Sequence, residues 1–178
     1  MNLTDVDQKA RIVVTGYSDK GTSKVTSDTT GAIRYPSPNV TSTVLFEAES
    51  LPVIAGADLV QQQERYMPTR EGVKVFLTSV APDESWSADP DSYRETIQSA
   101  GLDDLDGRPP GFHQTPTVDI ITVVSGEIYA LLDEEEVLLT QGDTLVQRGT
   151  PHAWSNRSGQ VAVISGVMVT AVDPAERN

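Results

Sequence analysis

Cysteine is absent from the 178 residues, which excludes a disulfide framework, a thiolate metal site and a cysteine nucleophile. Histidine is nearly absent: the chain holds two, His113 and His152, too far apart in sequence for the HExxH helix of a metalloprotease. Basic residues are scarce. Thirteen lysines and arginines stand against 26 acidic residues, a formal net charge of −13, whereas a phosphate backbone or an anionic membrane surface attracts clustered cations. Neither nucleic acid nor a membrane is an expected partner. No apolar run is long enough to cross a bilayer. The opening MNLTDVDQKAR lacks the basic-then-apolar order of a signal peptide, so a cytoplasmic location is expected. GxSxG, P-loop and GxGxxG patterns are missing too.

What remains is an ordinary globular balance, 38% hydrophobic and 22% charged, on a chain of a length that suits one domain over residues 1–178. Strand-like runs dominate it. RIVVTG from Arg11 leads into the polar turn SDKGTSK, as in a hairpin. The Thr- and Ser-rich segment with Ala32, Ile33 and Tyr35 is expected to add a short strand before Pro36 and Pro38. TVLFEAE is a better strand, and GVKVFLTSVAP from Gly72 is apolar on both faces. EIYALLDEEEVLLTQGDTLV reads as two strands joined at an acidic tip, Asp133 to Glu135, which solvation explains, and Val161 to Val172 as a last strand. Asp89-Pro90 opens a short helix, with Tyr93 and Ile97 one turn apart and Gly101 as its stop. Asp58 either caps a second short helix or lies in a loop. The acidic GLDDLDGRPPGF is either a site entrance or plain surface loop. With no internal repeat, the pattern is all-β, a barrel or sandwich, and the helix is expected on its outside.

Both histidines sit in ordered frames. In GFHQTPTVDIITVVSG, Gly111 to Gly126, residues His113, Thr115, Thr117 and Asp119 alternate, and a strand there puts His113, Thr115 and Asp119 on one face. GDTLVQRGTPHAWSN, Gly142 to Asn156, is a glycine turn, a short apolar run and a tight Gly-Thr-Pro turn delivering His152. These frames resemble the two motifs of the cupin superfamily, G-x5-H-x-H-x3,4-E-x6-G and G-x5-P-x-G-x2-H-x3-N. His113, Gly126, Gly142, Gly149, His152 and Asn156 match. Asp119 stands at the glutamate, Thr115 at the second histidine, and Gln147 at the proline. The resemblance implies a single-domain cupin, a jelly-roll-like double-stranded β-helix barrel with its core motifs in 101–172, extra N-terminal strands and one or two short helices. It also implies a homodimer in which N-terminal strands extend the partner's sheet. TVDIITVVSGEI and GDTLVQRGTPHAWSNRSG are similar to small bacterial and fungal cupins, some of them encoded near natural-product genes.

The expected ligand is a small organic molecule held between His113, Asp119 and His152, the candidate catalytic residues. Two chemistries stay open. As a 2-His-1-carboxylate set the three would hold Fe, Mn, Zn or Ni for a dioxygenase; no cofactor is otherwise implied. Without metal, Asp119 or His152 acts as acid or base beside a carbonyl in lyase or isomerase chemistry: dehydration, cyclisation or decarboxylation. A non-catalytic ligand-binding cupin is the third reading. Thr115 and Thr117 offer small polar groups beside the histidine. Tyr129 is a proton donor if it faces inward, Arg148 a clamp for a carboxylate, and Trp154 either a pocket wall or core.

Overall fold

The computed structural model describes residues 9–31, 33–36, 39–55, 66–86, 90–102, 105 and 107–172. In chain order these form β1 (Arg11–Tyr17), β2 (Ser23–Thr30), β3 (Ile33–Pro36), β4 (Val40–Ala48), β5 (Val73–Val80), a single 3-10 turn (Asp83–Ser85) and α1 (Pro90–Ser99). Then come β6 (Thr117–Ser125), β7 (Glu127–Leu131), β8 (Glu136–Thr140), β9 (Thr144–Gln147), β10 (Ala153–Ser155) and β11 (Ala162–Thr170). Pro90 occupies the first helical position as the sequence predicts, and Gly101, at φ +74°, follows its end. Asp89, the Asp58 helix and the side chain of Tyr93 lie outside the described residues.

The strands form a six-stranded sheet, β3-β4-β5-β11-β6-β9, a three-stranded sheet, β10-β7-β8, and a separate β1-β2 ribbon. The fold is nearly all-β, with barrel-like sheets. The two larger sheets share one core, in which Phe76, Ile121, Val123 and Met168 of the first meet Ile128, Ala130 and Leu139 of the second. Strand alternation selects which residues enter it. Along β6, Thr117, Asp119, Ile121 and Val123 are buried, and the residues between them are half-buried or exposed. On β5, Phe76 and Val80 join this core while Leu77 turns outward, where Ala10 and Val163 cover it beneath the β1-β2 ribbon. That accounts for the apolar character of both faces of β5.

Close approach demands one glycine here. A Cβ at Gly166 of β11 would stand 2.2 Å from Cζ of Phe76, so the glycine lets that ring cross the strand. Cross-strand register also aligns Gln147, Asp119, Met168, Lys74 and Glu47 on β9, β6, β11, β5 and β4, a row that is polar except for Met168. Lys74 and Glu47 are buried and lie 3.5 Å apart.

One segment differs from expectation. EIYALLDEEEVLLTQGDTLV contains three strands rather than two: Asp143 accepts from the Thr140 backbone N–H and hydroxyl, both at 2.8 Å, and this turn sends β9 across to β6 of the other sheet. In the acidic tip Glu134 and Glu135 are exposed as expected, whereas Asp133 takes both arms of Arg108 at 2.7 and 3.0 Å; just beyond it, Glu136 takes those of Arg157 at 2.7 Å each. No helix among the described residues is long and apolar enough to cross a membrane.

Candidate functional site

The histidines meet because their segments pair. His113 N–H donates to the carbonyl of His152 at 2.9 Å, and His152 N–H to that of His113 at 3.0 Å. The rings stand 4.4 Å apart between centroids, inclined by 52°. The turn before His152 needs its glycine: Gly149 has φ +63°, and a Cβ there would lie 3.1 Å from the carbonyl oxygen of Thr115. Gln147, at the motif's proline position, is buried and donates to the Thr150 carbonyl at 2.8 Å and to the Thr150 hydroxyl. It holds this turn by a side chain where proline would hold it by its ring.

The tautomers follow from the partners. His113 Nδ1 lies 2.9 Å from the Gly111 carbonyl oxygen, and His152 Nδ1 3.0 Å from that of Thr150. A carbonyl can only accept, so each Nδ1 carries the hydrogen and each Nε2 keeps its lone pair. Burial lowers the pKa of both rings. For His152, desolvation and then the neighbouring His113 push it down to about 4. Both imidazoles are therefore neutral acceptors at physiological pH.

Asp119 is 5% exposed, and its Oδ1 has no hydrogen-bond partner. Desolvation pushes its pKa up to about 6, against the hydroxyls of Thr117 and Thr115, which lower it and are bonded to each other at 2.8 Å. His113, Thr115, Asp119, His152 and Trp154 line one side of a cavity of about 90 Å³, space for several waters or part of a small organic molecule. The Trp154 ring stands edge-on to His152 at 5.9 Å and 84°; it lines the cavity and also packs against the main core, so both of its readings hold.

The opposite side comes from elements in which the sequence offers no chemical motif: Ser42 of β4, Phe76 and Thr78 of β5, and Ile97 and Leu102 from α1 and its end. Here α1 departs from expectation. Ile97 and Leu102 cluster with Val40, Tyr66, Met67 and Trp86, so the helix closes over the cavity instead of packing outside the sheets. Beyond the helix, Arg108 pairs with Asp133 at 2.7 Å.

Three further expectations are corrected. Tyr129 does not face inward: Ile128 and Ala130 take the buried positions of β7, and the Tyr129 ring lies under the Arg157 guanidinium at 4.3 Å. Arg148 is exposed and away from the cavity. Thr117 is buried behind the wall, bonded to Thr115 rather than lining the cavity. Nor is the three-ligand metal set assembled. Among the described residues, no three His, Asp or Glu side chains are gathered closely enough to hold a metal ion. The short carboxylate of Asp119 stays with its threonines, so these residues do not fit a 2-His-1-carboxylate centre.

Asn156 is structural. Fully buried, its Nδ2 donates to the carbonyls of Val80 at 2.9 Å and Gln160 at 2.8 Å, and its Oδ1 accepts from the Ser158 N–H and hydroxyl. Asn156→Ala leaves these groups unmatched and is expected to lower stability by about 2–4 kcal/mol, read as a fall in Tm of roughly 5–15 °C. An unchanged melting curve would remove this role.

Residues 106–170 match the Cupin_2 family, described as the cupin domain. Phomopsin biosynthesis cluster protein C' of Diaporthe leptostromiformis is 47% identical over 58 residues, 30% of this chain and 31% of that protein. Oryzines biosynthesis cluster protein J of Aspergillus oryzae is 43% identical over 53 residues, 29% and 30% of the two chains. The match thus spans less than a third of either relative. Among solved structures, a Cupin 2 conserved barrel domain protein from Salinispora arenicola is similar at 15% identity with a TM-score of 0.43, over 81% of this chain and 83% of that one.

Proposed function

We propose that this cupin domain catalyses proton transfer beside a carbonyl of a small organic molecule, in lyase or isomerase chemistry, with Asp119 as its base. The observation that carries the reading is the Asp119 carboxylate, buried in the cavity wall with an unpartnered Oδ1 and a pKa near 6. At pH 7 it is ionised in most molecules, yet it is basic enough to take a proton. The C–H proton passes to Oδ1 and the electron pair to the carbonyl oxygen. Asp119 then returns the proton to a different carbon in an isomerisation, or to a departing hydroxide, released as water, in a dehydration. Neither needs a co-reactant. His113 and His152, neutral with Nε2 free to accept, orient the substrate through an O–H or N–H of its own. The likeness to proteins of two fungal biosynthesis clusters supports a substrate from natural-product metabolism.

The test is incubation of the purified protein in D₂O with a panel of β-hydroxy and α,β-unsaturated ketones, followed by NMR. The expected result is deuterium beside the carbonyl of one class, or its dehydrated or isomerised product. Tight binding of a panel member with neither outcome would replace catalysis by ligand sequestration.

The working form is proposed to be a homodimer in the cytoplasm. Val13, Tyr17 and Val25 of the β1-β2 ribbon are 47%, 74% and 55% exposed, and a two-stranded ribbon is marginal unless packed. Light scattering at micromolar concentration is expected to give twice 19.2 kDa; a monomer would discard the dimer.

A further inference from the structure

Across the cavity from the imidazoles lies a polar spot that the proposed reaction does not use. Ser42 and Thr78 face each other on β4 and β5, are 2% and 5% exposed, and bond hydroxyl to hydroxyl at 2.7 Å. Both line the cavity. Two hydroxyls that share one bond leave one O–H hydrogen uncommitted, and the wall around them is apolar: Val40, Phe76, Val80 and Ile164. A donor facing an apolar space is unfavourable until an acceptor enters. Among the described residues no Lys or Arg lines this cavity, so none of them favours an anionic acceptor over a neutral one.

Register sets the separation. The pair lies two strands from Asp119 in the order β5-β11-β6, and Thr78 is four residues from Lys74, which shares the Asp119 row. Strand and residue spacings put the two poles roughly 15 Å apart along the sheet, and less across its concave side. We propose that Ser42 and Thr78 form a second binding pole that donates a hydrogen bond to a neutral carbonyl at the end of the ligand remote from Asp119. The ligand class is then an elongated molecule with an apolar body and a ketone, ester or amide at its far end. This rests on the cavity being the ligand site.

The test uses two probes of nearly equal shape, 4-(4-hydroxyphenyl)butan-2-one and its hydrocarbon counterpart 4-(3-methylbutyl)phenol, titrated calorimetrically into the full chain. In each, the phenol O–H can donate to an imidazole Nε2. An apolar cavity without a donor prefers the hydrocarbon. With the hydroxyl pair, the ketone is expected to bind roughly five- to tenfold more tightly, and the order to reverse in Ser42→Ala/Thr78→Val. Equal or tighter binding of the hydrocarbon by the wild type, or a ketone preference that survives in the variant, would overturn the second pole alone. Binding of neither probe would overturn it together with the cavity reading. If the double variant does not fold, the wild-type preference between the two probes decides.

Discussion

Replacing Asp119 by asparagine is expected to abolish proton transfer and, at the same time, to make the protein more stable at neutral pH. The loss of rate should be roughly a hundredfold or more, the usual contribution of a positioned base. In the wild type the rate should rise with pH through about 6, and in the variant this dependence should vanish. The stability gain follows from linkage. The folded protein holds the Asp119 proton more tightly than the unfolded chain, because burial raises the pKa from 3.8 to about 6. Below about pH 4 both states are protonated and nothing is lost. As pH rises through 6 the fold must carry a buried carboxylate, which costs roughly 3 kcal/mol. His152 runs the other way: its pKa falls from 6.5 to about 4, so its contribution is present above 6.5 and is lost as pH falls toward 4. The variant keeps the histidine and loses only the aspartate. Urea unfolding of the two proteins should therefore diverge between pH 4 and pH 8 by roughly 3 kcal/mol in favour of asparagine. Equal stabilities at pH 8 would show that Asp119 is not strained by burial, and the case for a tuned base would lose its support.

Lys74→Met is expected to be the most damaging single change outside the site. Lys74 and Glu47 pair at 3.5 Å with side chains 1% and 0% exposed, so removing the ammonium leaves a carboxylate in the interior without it. Breaking such a pair from one side costs about 3–5 kcal/mol, roughly 10–15 °C in Tm for a chain of this size. The partner change should repair it: Lys74→Met/Glu47→Leu, apolar on both sides and close in volume, is expected to recover most of the loss. A double variant no better than the sum of two singles would mean that the two residues do not act as a pair.

The motif half of the site was legible in part. His113, Thr115 and Asp119 do line one cavity, but the strand begins only at Thr117, and His113 is held by an isolated bridge to His152, which the Gly-Thr-Pro turn delivers. Beyond Gly126, where φ is +76°, the parity count restarts, and Tyr129 came out on the wrong side of it. Ser42 and Thr78 carry no signal of their own; they become a pair only through the β4-β5 register, which a sequence separation of 36 hides. The position of α1 was equally hidden. An apolar face on a short helix tells that something is covered, not what. The three candidate metal ligands are not gathered into a cluster among the described residues; the Asp119 carboxyl sits beside threonines, one of which, Thr115, stands where the motif has a histidine.

The cavity draws on two parts of the chain, although Ile121, Ile164 and Met168 of the later part line it as well. The histidines, Asp119 and Trp154 all lie within 106–170, whereas Ser42, Phe76, Thr78, Ile97 and Leu102 come from earlier segments. Under the proposed function the groups assigned the chemistry and much of the surface that meets the ligand come from separate stretches. Exchange of residues 40–102 for those of another protein of this architecture is then expected to change which molecule is bound while leaving the acid-base groups in place, a modular route from one reaction to many products.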